Sequence, residues 1–133
     1  MRDILFRGKI VRTGEWVCGG IVHQTDHYGE TVDKYFIIDG TETQDYDIGY
    51  EYEVVPETVG QFTGLRDKNG KRIFEGDILS FETMRGTISF TVYYDEECGV
   101  WQPFGDSYCG FDPKDVEVIG NIHDSPELLE DKR

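Results

Sequence analysis

From residue 87 to residue 94 apolar and polar side chains alternate: Ile88, Phe90, Val92 and Tyr94 against Thr87, Ser89, Thr91 and Tyr93. Period two predicts a strand with one buried and one wet face. Shorter runs of the same kind recur along the chain. Asp3 to Val11 and Trp16 to His23 read as strands joined by the turn Arg12-Thr13-Gly14-Glu15, with Gly19-Gly20 as a bulge or bend in the second. Lys34 to Ile38 is a third run, and Tyr46 to Val54 a further extended stretch. Beyond Pro56, Gln61–Leu65 and Arg72–Phe74 flank Asn69-Gly70, a pair suited to positive φ at both central turn positions, and so predict a hairpin. Ile78–Glu82, Val100–Phe104 and Val116–Ile122 complete the strands. Only Ser125-Pro126-Glu127 carries a helix-start signal: a capping residue, proline at the first helical position and an acid beside the positive end.

The pattern predicts a mainly β fold. Short, strongly bent strands in residues 58–133 suggest a small barrel or pseudo-barrel, SH3-like in scale, with a short C-terminal helix. Residues 1–57 form a β-rich subdomain packed on it. Composition agrees: 14% of residues are aromatic, there are 16 glycines, and alanine, the best helix former, does not occur. No apolar run approaches the roughly 20 residues of a membrane span, and the start lacks a signal-peptide core, so the expected location is the cytoplasm. Cys18, Cys98 and Cys109 form no Cys-x-x-Cys pair and are expected to be reduced thiols there.

Charge narrows the choice of partners. A formal net charge of −14 repels nucleic acid and anionic membranes unless a local basic patch works against the field. One such patch surrounds the Asn-Gly turn: Arg66, Lys68, Lys71 and Arg72. It could meet phosphate or an acidic partner, or form a solvated hairpin tip. From Asp26 to Glu57 Lys34 is the sole basic residue. That stretch could imitate nucleic acid if several strands aligned their acids; otherwise it is a soluble face.

Catalytic and metal patterns are weak. Gly64 to Arg72 resembles a phosphate loop, but the spacing is one residue too long and Arg72 stands where a hydroxyl is needed. An EF-hand register with Gly70 at position six puts Leu65 and Gly76 where carboxylates belong. Cys98, Cys109 and His123, with Cys18 or His23, match no common zinc spacing. No element activates a thiol beside His123 and Asp124. Neither a cofactor nor an enzymatic site is expected.

Three segments resemble the YopX-like phage and prophage proteins. They are Ile4–Lys9 with Gly14–Val17, then Pro56–Leu65 running on through Asp67–Ile78, and finally Val118–Leu129. The likeness spans nearly the whole chain in order, and 26–52 is its least similar part. It implies a protein carried by a phage or prophage of a Gram-positive bacterium, acting inside the host cell as a homo-oligomer. It implies no reaction and supplies no catalytic residue.

The expected function is therefore a non-enzymatic accessory protein that binds another protein of host or phage. Trp16, Trp101, Phe104 and Tyr108 are candidate contact anchors or, equally, core residues. The alternatives are a nucleic-acid binder using Arg66, Lys68, Lys71 and Arg72 on a small β-barrel, and an acidic nucleic-acid mimic.

Overall fold

Strands dominate, and every strand pairing is antiparallel. The computed structural model describes residues 4–25, 33–39, 50–105 and 111–130. The chain divides into two units, Met1–Gln61 and Phe62–Arg133.

In the first unit β1 (Phe6–Lys9), β2 (Trp16–Gln24), β3 (Lys34–Asp39) and β4 (Tyr50–Val54) lie in the order β4-β3-β2-β1. β1 also pairs with Gly60 and Gln61 at the start of β5 (Gly60–Arg66). The Arg12–Glu15 turn forms where predicted, closed by Ile10 N–H to the Glu15 carbonyl (2.8 Å). The expected bulge at Gly19-Gly20 does not occur. β2 stays in register and changes partner there, from β1 to β3. Glycine is needed at 19 for another reason: a Cβ would collide with the Ile38 carbonyl. Val17, Ile37 and Val54 form the core, with Phe6, Ile10, Ile21, Tyr35, Tyr52 and Val59 around them. A single bridge, Ile10 to Val54, returns the end of β4 to the chain after β1. Of the predicted stretch 46–54, residues 46–49 lie outside the described residues, as do 26–32 and 40–45 of the acidic segment.

In the second unit the rest of β5 pairs with β6 (Arg72–Phe74). β7 (Asp77–Thr83) lies between β8 (Gly86–Thr91) and β11 (Glu117–Asn121), and β9 (Tyr93–Asp95) pairs with β10 (Val100–Gln102). Ile73, Leu79, Val92, Phe104 and Val116 make the core; Leu65, Phe81, Phe90, Trp101, Phe111 and Val118 pack against it. The last element, α1 (Glu127–Glu130), is one helical turn.

Of the expected barrel or pseudo-barrel, the closed form is not found: the described strands form no closed barrel. Closure needs a continuous ring of paired strands. Here β8 and β11 each end the three-stranded sheet, and β9 and β10 pair only with each other. The predicted strand 87–94 divides at Val92 for the same reason. Val92 still exchanges backbone bonds with Gly76 and Asp77, whereas Tyr93 and Tyr94 pair with β10. Its expected buried face is therefore uneven. Val92 is 1% exposed, but Ile88 and Tyr94 are 38% and 43% exposed.

Candidate functional site

The basic hairpin is organised by an acid. Asp67 is buried, and its Oδ1 accepts from the backbone N–H of Asn69 (2.9 Å) and Lys71 (2.8 Å). Its Oδ2 accepts from the Val118 N–H on β11 (2.9 Å). The chain folds this way because a short side chain at the start of a turn can satisfy amides that the turn leaves unpaired. Burial pushes the Asp67 carboxyl up, but the bonds from Val118, Lys71 and Asn69 and the charge of Lys71 outweigh it and hold it below its ordinary value. The turn type differs from expectation. Gly70 is left-handed (φ 81°), but no non-glycine residue among those described has positive φ, so Asn69 is not left-handed. The loop instead runs Asp67–Lys71, closed by Asp67 N–H to the Lys71 carbonyl (2.8 Å).

Around this turn the four cations have different surroundings. Lys68 pairs with Glu117 at 3.7 Å. Arg66 donates from Nη1 to the Gly70 carbonyl at 3.0 Å. Arg66 and Arg72 stand directly opposite each other in the β5–β6 register. The Arg72 guanidinium lies 5.8 Å from the centroid of Phe62. Lys71 is exposed. An open cleft of about 370 Å³ lies beside the hairpin, lined by Lys68, Ser80, Phe81, Glu82 and Asp115. Sequence reasoning did not foresee it, because its walls come from segments far apart along the chain.

The β9–β10 hairpin carries the opposite character. Tyr93 is 54% exposed, and Tyr94 packs edge-on against Trp101 with ring centroids 5.0 Å apart. Glu96 and Glu97 are exposed at its tip. Asp95 there accepts from Glu97 N–H (3.1 Å), Cys98 N–H (3.3 Å) and the Gln102 side chain (3.3 Å). The Gln102 bond, followed by the Cys98 amide, lowers its carboxyl pKa.

The proposed anchors separate. Phe104 is buried in the second core and is not a surface anchor. Trp101 is half-buried, packed on that core and touching Tyr94. Trp16 is half-buried, with the Arg7 guanidinium 4.7 Å and the Lys9 ammonium 5.6 Å from its ring centroid. Tyr108 and Cys109 lie outside the described residues. Tyr93, placed on a wet face by the alternation, was not singled out as a contact, since alternation does not separate a wet face from a binding face.

Among the described residues no group of three or more His, Cys, Asp or Glu is arranged to hold a metal ion. His23 stacks on Tyr35 (4.3 Å between centroids) and lies 3.0 Å from Asp33 Oδ1. Asn121 Oδ1 accepts from the N–H of His123 and Asp124, which shapes the turn after β11. No helix among the described residues is long and apolar enough to cross a membrane.

Comparison with known proteins adds a family. No curated protein matches the chain. A solved structure, the crystal structure of protein EF1440 from Enterococcus faecalis, is similar at 26% identity and a TM-score of 0.59, covering 97% of this chain and 99% of that one. The family described as YopX protein matches residues 6–130. With nearly its whole length matched, and with the three quoted segments inside or overlapping that span, the chain belongs to the YopX family.

Proposed function

We propose that this is a phage- or prophage-encoded accessory protein of the bacterial cytoplasm, homo-oligomeric, which works by binding another protein rather than by catalysis. The observation that carries the reading is the exposed aromatic content of the β9–β10 hairpin: Tyr94 beside Trp101 on one face, Tyr93 on the other, and Glu96 and Glu97 at the tip. Tyr and Trp dominate binding hot spots, and an acidic rim favours a basic partner surface. The partner is accordingly a host or phage protein that presents basic residues around an apolar recess. Self-association is served by β8, which ends its sheet and offers an unpaired strand edge among the described residues.

The test is affinity capture of the tagged full chain from host lysate, with and without nuclease, beside a Tyr93→Ser variant. A stoichiometric protein that survives nuclease and is lost with Tyr93→Ser supports the reading. A partner retained at full level by the variant sinks it. Sedimentation of the purified chain checks the oligomer.

A second reading, nucleic-acid binding through Arg66, Lys68, Lys71 and Arg72, is favoured by the clustering of those cations on one hairpin. It is weakened by the Lys68–Glu117 pair and by the net charge of −14. Binding that falls steeply with salt would support it. The acidic-mimic reading rests on a segment that lies largely outside the described residues.

A further inference from the structure

Arg66 and Arg72 are directly opposed across the β5–β6 ladder. Opposed residues of an antiparallel pair share a face, with Cβ atoms roughly 5 Å apart, and like charges placed so destabilise the hairpin. In a chain with 27 acidic and 13 basic residues, a carboxylate neighbour would be easy to find. Yet neither arginine makes an ion pair among the described residues. The nearby acid, Asp67, is occupied by backbone amides. Arg72 is also partly stripped of water. Its side chain is half-buried, and its Nε is buried without a hydrogen-bond partner. Its guanidinium is held against the Phe62 ring, and Arg66 is held at the turn by its bond to Gly70. Arg66 and Arg72 thus place two guanidinium groups on one face of the hairpin, a charge pattern suited to an anion.

We propose that Arg66 and Arg72 bind one phosphate group, borne by a small phosphorylated molecule or free as inorganic phosphate. The paired forks present more donors than the two oxygens of a carboxylate use, whereas a phosphate dianion has three or more oxygens and a charge that offsets both arginines. A small ligand fits the electrostatics better than a polymer. A single dianion meets only this pair, while a nucleic acid would lay many further phosphates against a surface of net charge −14. The site is separate from the β9–β10 hairpin proposed above for protein binding.

The experiment follows the arginine Nε–Hε NMR signals of the full chain during titration with inorganic phosphate, adenosine monophosphate, acetate and a phosphate-bearing oligonucleotide at matched ionic strength. Saturable shifts at Arg66 and Arg72 with inorganic phosphate or the monophosphate, and none with acetate, are expected. The monophosphate binding more tightly than inorganic phosphate identifies a phosphorylated metabolite as the source; equal affinity identifies the free ion. Arg72→Lys keeps the charge over Phe62 but loses the fork, so phosphate affinity should fall roughly tenfold or more. Arg66→Lys, at an exposed position, should do the same, and an unchanged amide spectrum checks the fold of both. Absence of saturable shifts, acetate acting as well as phosphate, either variant binding like the parent, or the oligonucleotide binding far more tightly than both small phosphates would overturn the proposal.

Discussion

At the tip of β5–β6 an aspartate gathers three backbone amides; at the tip of β9–β10 another aspartate gathers two, together with the Gln102 side chain. The carboxyl is lowered in both. What separates the two tips is reach and burial. Asp67 is 5% exposed, and one of its bonds crosses to β11; the bonds of Asp95 stay within its own hairpin, open to water. The same local chemistry thus ties one hairpin into the second unit and merely shapes the other. A tip fixed by long-range bonds suits a rigid anion receptor, and a locally shaped tip leaves its exposed tyrosines available to a partner.

The sharpest way to break this comparison is Asp67→Asn. The amide keeps one acceptor but turns a donor toward a backbone N–H that needs an acceptor. A loss of about 1–3 kcal/mol is expected in urea unfolding, with faster hydrogen exchange at Val118. The pH dependence carries the same information. The folded value of Asp67 lies below the ordinary 3.8, so its contribution is present above pH 3.8 and is lost as pH falls through the folded value. Acid unfolding should show that loss in the parent and not in Asp67→Asn. Asp95→Asn should change global stability far less, because its carboxylate is solvated.

Next in size is Gly70→Ala. Gly70 has φ 81° and open space around it, so the cost is conformational alone, about 1–2 kcal/mol by thermal or urea unfolding. Gly99→Ala, at φ 68° on the other hairpin, should cost global stability less if that tip opens independently. Equal losses at both glycines would erase the distinction between the hairpins. The smallest expected change in stability is that of Tyr93→Ser, within about 0.5 kcal/mol, since the side chain is 54% exposed. Its effect belongs to partner binding.

Much of the strand order was legible, because alternation and turn residues are local signals. The Arg12–Glu15 turn, the hairpin around Gly70 and the strand at 78–82 follow from them. The open sheets were not legible. Whether short strands close depends on which edges meet, and Tyr93 leaving β8's sheet to pair beside β10 is a tertiary choice. The turn type was misread because Asn-Gly argues for two left-handed residues, while Asp67, two positions earlier, stabilises a longer loop that needs only Gly70. For the candidate sites, the basic cluster was visible as composition, but the opposition of Arg66 and Arg72 depends on register. Trp101 and Phe104 looked equivalent in the sequence, and packing distinguishes them: one stays half-buried and the other enters the core.

The bond from Val118 to Asp67 joins residues 51 positions apart. On a ribosome, the β5–β6 hairpin therefore emerges well before the strand that completes its carboxylate cage. β7 also waits, though less long, since β11 is one of its two neighbours. A nascent chain cut short before residue 117 would expose one flank of β7, beside the apolar Ile78 and Leu79. Such fragments are natural prey for proteases or for aggregation. The placement of β11 thus delays completion of the β7 sheet until residues 117–121 have been made.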